Sequence, residues 1–196
     1  MKKIVIIATF ILMFVSSALY GQEYEALSEK SVILWEGKAI GKVHNGTIKL
    51  KEGIMKQTNS RPESGRFSID MTSIINSDLG NENMKGRLEK HLKSADFFDV
   101  ENFPVAVFEI ENSEMKDGGS FIVKGVLMIK GIAHPIEFSS NFSTNESNLV
   151  FTGHIDVDRT LYDVRYNSSR FFKDIGDKAI NDIFGIDFEI YFSMSQ

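Results

Sequence analysis

Eight stretches of the chain alternate apolar and polar side chains with a period of two, and this pattern restricts the fold more than any other feature. They cover 31–39, 46–56, 65–75, 104–112, 120–130, 135–143, 148–158 and 185–193. In the third, Phe67, Ile69 and Met71 alternate with Ser68 and Asp70; in the last, Ile186, Phe188, Ile190 and Phe192 alternate with Asp187, Glu189 and Tyr191. Successive side chains of a strand point to opposite faces, so each stretch reads as a strand with one dry and one wet face. Parallel strands buried on both faces would be apolar throughout, which makes the sheet antiparallel. Turn-forming residues separate the stretches at His44-Asn45-Gly46, Asp117-Gly118-Gly119, Gly131 to His134 and Thr144 to Asn148. Eight strands with short links predict an all-β chain built as an eight-stranded antiparallel β-barrel, with a two-sheet sandwich as the competing arrangement.

Two long connections interrupt the meander. In the first, Met84, Leu88 and Leu92, with His91 beside them, recur at three- and four-residue spacing, so a short helix is expected between strands three and four. Phe97 and Phe98 follow it, and Pro104 holds its predecessor extended. A helix of about ten residues is marginal alone and must lie on an apolar surface. The second connection, 159–184, is expected to hold a turn and a short helical piece over 174–183. Connections of this length carry function or cover an opening.

The front of the chain reads as a secretory signal peptide over 1–21. Lys2 and Lys3 precede an apolar run from Ile4 to Val15, followed by Ser16, Ser17 and Ala18. A retained membrane anchor is the alternative, although the run is shorter than the ~20 residues of a spanning helix. Residues 22–196 then form one domain, opening on a loose leader over 22–30. Without Lys2 and Lys3 the net charge moves from −5 to −7, which argues against nucleic acid or an anionic membrane as the main partner. The absence of cysteine excludes a disulfide framework and thiol chemistry.

Gly125, Ser140 and Gly153 interrupt the apolar rows of three neighbouring strands. Either they open space inside the barrel, or they mark bent strands around a centre filled by phenylalanine, and both readings stand at this point. An open bore has to be occupied, since a few hundred Å³ of empty apolar cavity costs on the order of 5 to 10 kcal/mol. Tilted strands of nine or ten residues give it a depth of roughly 20 to 25 Å, which suits a long, greasy occupant.

The sequence holds no phosphate-binding glycine loop, nucleophile elbow or zinc-protease histidine pair, so no enzyme activity and no cofactor are expected. His154, Asp156 and Asp158 share a strand face, but it is the outer, wet row, and no metal site is expected there. Arg159, Arg165 and Arg170 could grip an anionic head group or pair with Asp156, Asp158 and Asp163.

The chain resembles the YceI-like family of exported, lipocalin-like proteins. The resemblance rests on Val43-His44-Asn45-Gly46-Thr47, on Phe67-Ser68-Ile69-Asp70-Met71, and on Gly125-Val126-Leu127-Met128-Ile129-Lys130-Gly131. Above all it rests on His91-Leu92-Lys93-Ser94-Ala95-Asp96-Phe97-Phe98-Asp99, with Phe103-Pro104 and Phe108 beyond. Two departures bear on the head group: Met128 stands where many relatives have threonine, and Glu89-Lys90 where they have an Arg-Asp or Arg-Asn pair. The resemblance implies a lipocalin-like barrel whose apolar pore holds a long-chain isoprenoid, polyprenyl or quinone-type.

The resulting expectation is an exported carrier, periplasmic or secreted, that shelters such a lipid without transforming it. Its pore wall is expected to be Phe67, Ile69, Met71, Phe108, Leu127, Phe138, Phe151 and Ile155, with Phe97 and Phe98 at the mouth. His91 either hydrogen-bonds the head group or ties the helix end to a backbone carbonyl. A filled barrel serving as an envelope-stress or protein-interaction scaffold is the alternative, and a homodimer is compatible with either.

Overall fold

The alternating stretches close into a ring. A computed structural model describes residues 21–58, 60–145 and 148–194, so the signal-peptide expectation over 1–20, and residues 146 and 147 of the turn expected at Thr144 to Asn148, lie outside the described residues. The elements are β1 (Gln22–Ala26), β2 (Val32–Ala39), β3 (Lys42–Thr58), β4 (Arg61–Asn76), α1 (Glu82–Lys93), β5 (Val105–Met115), β6 (Phe121–Ile129), β7 (Ile132–Asn145), β8 (Asn148–Asp158) and β9 (Ile183–Met194). From β2 to β9 each strand pairs antiparallel with the next, and β9 returns to β2 through Ile33 opposite Phe188 and Trp35 opposite Ile186. The result is an eight-stranded antiparallel barrel. Its core is the inward row of every strand, including Leu50, Met55, Phe67, Met71, Phe108, Phe151 and Phe192.

Residues 22–26, expected to be part of a loose leader, form β1. This strand pairs with β3 through Tyr24 opposite Met55 and with β9 through Ala26 opposite Phe192. It occupies the place that β2 leaves vacant at the far end of the barrel. A turn joins the two, with Ser31 N–H donating to the Leu27 carbonyl at 3.0 Å. Five residues with two inward side chains are too short a pattern to announce a strand. Counting β1 also corrects the position of the helix, which follows β4 and leads to β5.

His44-Asn45-Gly46 is not a turn. The chain reverses at Ile40-Gly41, where Gly41 has φ +69°, and Gly46 lies within β3 opposite Trp35. A Cβ at Gly46 would collide with the Ile75 carbonyl oxygen and lie 2.8 Å from the Trp35 indole, so close approach requires glycine there. Register shifts between β3 and β4, at Thr47/Lys49, Leu50/Glu52 and Lys56/Gln57, bend these longest strands around the barrel.

The two ends differ. The β3–β4, β5–β6 and β7–β8 hairpins lie at one end with β1, whereas both long connections lie at the other, with the β2–β3 and β6–β7 hairpins. Helix α1 starts at the Asn81 cap, whose side chain accepts from Met84 N–H at 3.1 Å. Only part of its expected apolar face is used: Leu92 packs against the core, while Met84 is 55% exposed. Glu89 accepts from the backbone N–H of the fully buried Asn76 at 2.9 Å and fastens the helix to β4.

Asp78 makes the neighbouring clamp. It accepts from Asn45 N–H at 2.9 Å, from His44 Nδ1 at 2.8 Å and from the Asn76 amide. Burial opposes its charge, but these donors outweigh it and hold the carboxyl at about 2. The folded-state value lies below the ordinary one, so the stabilisation is complete above about pH 4 and disappears as pH falls toward about 2. The stability gap between wild type and Asp78→Asn, measured by urea denaturation, is therefore expected to narrow as pH falls through that range.

Glycines give a contrast in sign. A Cβ at Gly125 would collide with the Glu109 carbonyl and lie 2.8 Å from the Phe108 ring, whereas nothing lies within 4 Å of one at Gly86 on α1. Gly125→Ala is expected to destabilise the fold by about 1–3 kcal/mol. Gly86→Ala is expected to stabilise it by about 0.5–1 kcal/mol, both read from urea unfolding.

Candidate functional site

The barrel contains an apolar cavity of about 190 Å³ that opens at the end carrying the long connections. Ile33, Trp35, Ile48, Leu50, Ile69 and Met71 form one wall, and Leu92, Phe97, Phe98, Ile180 and Phe184 form the rim. From Ile74 down to Phe67 along the tilted β4 the accessible depth is roughly 15–20 Å.

Phenyl rings make the floor. Phe67 lies 6.1 Å from Phe108 and 6.2 Å from Phe151; Phe108 lies 5.4 Å from Phe138, and Phe151 lies 4.8 Å from Phe188, centroid to centroid. Such separations fall within the range of attractive aromatic pairs. Below the floor, Met55, Val123 and Phe192 are fully buried and plug the rest of the bore. The barrel is therefore open at one end and solid at the other.

The small inward residues serve the floor and do not open space. A Cβ at Gly153 would sit 2.6 Å from the Phe188 ring, one at Gly53 2.8 Å from Phe67, and one at Gly125 2.8 Å from Phe108. Each glycine accepts a phenyl ring from the adjacent strand. Ser140 is also fully buried, its hydroxyl donating to the Phe121 carbonyl at 3.5 Å.

Of the expected contact residues, Phe67, Ile69, Met71, Phe97, Phe98, Phe108, Leu127, Phe138 and Phe151 line the cavity. Ile155 and His91 do not. Ile155 packs against the core, but the surface beside it belongs to Val157 and to its cross-strand partner Ile186. His91 is one position from Leu92, and the helical turn directs Leu92 to the cavity. The imidazole instead packs edge-on against Phe97 at 5.8 Å and Tyr166 at 4.4 Å, with its buried Nε2 making no hydrogen bond among the described residues. The helix end is tied by Ser94, whose hydroxyl and N–H both donate to the His91 carbonyl.

Arg159 is the residue whose role the sequence reading missed. It follows Phe151, Gly153, Ile155 and Val157 as the next position of the same inward row, and that spacing was the available signal. It lines the cavity, yet its donors are all engaged. Nε donates to the Asn181 carbonyl at 3.0 Å, Nη1 to those of Val164 and Tyr166 at 2.8 and 2.9 Å, and Nη2 to Ile180 at 3.0 Å and Asp182 at 3.4 Å. Its guanidinium carbon also lies 5.7 Å from the Phe97 ring, so one side chain joins both connections. Arg165 pairs with Asp163 at 2.8 Å and Arg170 with Asp158 at 3.1 Å, as expected for those two. His154 on the outer face bonds Asp187 at 2.7 Å, and among the described residues no group of three or more His, Asp or Glu side chains is placed to hold a metal ion.

A closed antiparallel barrel entered at one end by an apolar cavity defines a lipocalin-like binding architecture. The chain belongs to the YceI-like family: the YceI-like domain model matches residues 24–192, from β1 to β9. A UPF0312 protein of Pseudomonas putida is 28% identical over 100 residues, covering 50% of this chain and 49% of that protein. One of Azotobacter vinelandii is 24% identical over 98 residues, covering 50% and 48%. The chain thus spans about half the length of the curated relatives it matches. Among solved structures, Burkholderia cenocepacia BcnA superposes with a TM-score of 0.69 at 22% identity, over 85% of this chain and 98% of that one. A polyisoprenoid binding domain from Saccharophagus degradans gives 0.61 at 13%, over 88% and 98%. At these identities the likeness is one of fold.

Arg159→Met keeps the apolar stem and removes the donors, leaving four carbonyls without their partner. It is expected to destabilise the protein by about 3–5 kcal/mol. Hydrogen exchange is expected to accelerate first over 164–182, ahead of the barrel strands.

Proposed function

We propose that the protein is an exported carrier that shelters the hydrocarbon tail of a long-chain isoprenoid lipid, polyprenyl or quinone-type, without transforming it. The observation that carries this reading is the cavity: about 190 Å³, lined almost wholly by hydrocarbon and open at one end. Left empty, it costs about 4–5 kcal/mol, and filling it recovers that energy. Each methylene buried adds ~0.8 kcal/mol, so a tail gives ample affinity before any polar contact. The family match and the polyisoprenoid binding domain of like fold support the choice of an isoprenoid. Residues 1–21, with their lysines, apolar run and small residues, support export to the periplasm or beyond.

Phe67, Ile69, Met71, Phe108, Leu127, Phe138 and Phe151 would contact the tail, with Phe97 and Phe98 at the entrance. Because the bore is plugged below the phenyl floor, a long tail would fill the upper half and leave its remaining length at the rim. Arg159 has no donor to spare for a head group, which leaves recognition to the tail.

Trp35 is the single tryptophan and lines the cavity, so its emission reports occupancy. Titration with a polyprenyl alcohol is expected to change Trp35 emission saturably, and mass spectrometry of an organic extract is expected to find a near-stoichiometric prenyl passenger. Ala106, a buried wall residue, tests the location: Ala106→Phe fills the cavity and is expected to weaken binding by about tenfold or more. No passenger and no titration would leave the filled-scaffold reading in its place.

A further inference from the structure

We propose that the connection from Val164 to Lys173 is a membrane-docking surface that seats the cavity mouth against a lipid bilayer bearing anionic head groups. This rests on the reading of the cavity as a lipid site and adds where the lipid is exchanged.

Phe171 and Phe172 are consecutive and 42% and 50% exposed. Tyr166 and Leu161 are exposed on the same connection, and Ile40 is exposed beside it, its N–H donating to the Ala179 carbonyl. At the closed end the exposed apolar residues Ile54, Met115 and Met194 sit on three different strands. Val32 and Leu34 are exposed on the outer face of β2, but the exposed aromatic rings among the described residues, Tyr166, Phe171 and Phe172, all lie on this one connection at the mouth. The far leg of this connection contributes Ile180 and Asn181 to the cavity lining, so the patch is continuous with the entrance.

The rings are held out by structure. Phe171 N–H and Phe172 N–H both donate to the carbonyl of the fully buried Ser168, at 3.1 and 3.0 Å. Ile180 N–H donates to the Asn167 carbonyl at 2.9 Å, and Arg159 grips the carbonyls of Val164 and Tyr166. A frame this well tied keeps two phenyl groups in water, where exposure is unfavourable, and a bilayer interface would bury them.

Charge selects the surface. The chain is acidic overall, with a net charge of −5, yet Val164 to Lys173 carries Arg165, Arg170 and Lys173 and no acid. Arg165 and Arg170 reach carboxylates outside the segment and stay half exposed, with the Arg165 guanidinium 4.8 Å from the Phe171 ring centroid. Lys173 makes no ion pair among the described residues. Cations flanking exposed aromatic rings match a bilayer interface, where rings insert and cations meet phosphate. Net charge opposes a general attraction to an anionic membrane, and Asp163, Asp174 and the carboxylates paired with Arg165 and Arg170 border the strip, so its cations act beside the rings and not through the charge of the whole connection.

The test is flotation of the protein with phosphatidylcholine–phosphatidylglycerol vesicles and with phosphatidylcholine vesicles alone. The protein is expected to float with the anionic vesicles, less with the neutral ones, and less at high salt. Phe171→Ser/Phe172→Ser is expected to lose about tenfold or more of this association, Phe171→Trp/Phe172→Trp to keep it, and the Ser variant to titrate a polyprenyl alcohol through Trp35 as wild type does. If the Ser variant loses Tm, Arg165→Glu/Lys173→Glu carries the test, with its rings in place and its preference for anionic vesicles expected to vanish. Failure of the wild-type protein to float, or undiminished flotation of these variants, overturns the proposal. So does a dimer seen by light scattering that the Ser variant dissolves, which would assign the patch to a second copy. Flotation without prenyl binding would fail the carrier reading alone.

Discussion

The architecture depends on phenyl rings laid over inward-facing glycines of neighbouring strands. Phe67 covers Gly53, Phe188 covers Gly153 and Phe108 covers Gly125, and the rings then meet one another across the bore. An inward Cβ at any of these glycines would push a ring out of the layer. Each ring pair contributes about 0.5–1.5 kcal/mol beyond the area it buries, and the layer ties strands from all around the barrel. One layer does two jobs: it seals the lower half with Met55, Val123 and Phe192, and it supplies the floor of the upper half. Trp35 over Gly46 repeats the device nearer the mouth.

The mouth is built with equal economy of means. Asn76, Asp78 and Glu89 fasten the connection that carries α1, while Arg159 gathers four carbonyls of the other connection and touches Phe97 of the first. A buried guanidinium in an apolar lining is unfavourable unless all its donors are engaged, and here they are. The rim is consequently a set of fixed side chains around a fixed opening. Polar chemistry at the entrance holds the frame, and the inner surface is left to hydrocarbon.

Much of this was legible in the sequence. Period-two alternation identified every strand of the ring, because each buries one face against a shared core and the register permits no other arrangement. Nine of the eleven expected contact residues line the cavity for the same reason. What escaped had physical causes. β1 is too short to show a period, and its pairing depends on the space that β2 leaves between β3 and β9. His44-Asn45-Gly46 has turn composition, yet Gly46 is there to admit the Trp35 indole and the Ile75 carbonyl. Gly125 and Gly153 left two readings open, internal space or a centre filled by phenylalanine, because whether a small residue leaves a void depends on what crosses from the next strand. Arg159 lay on the inward row all along, and only its carbonyl partners, Val164 and Tyr166 on one leg of the connection and Ile180 and Asn181 on the other, reveal its purpose.

The central claim is a half-open barrel, empty above a phenyl floor and solid below it. A crystal structure of the protein loaded with a prenyl alcohol brominated at its tail end measures this directly. The bromine is expected above the plane of Phe67, Phe108 and Phe151, among the rings and aliphatic side chains of the upper wall. Bromine beside Met55, Val123 or Phe192 would mean that the tail passes the floor, and the account would be wrong.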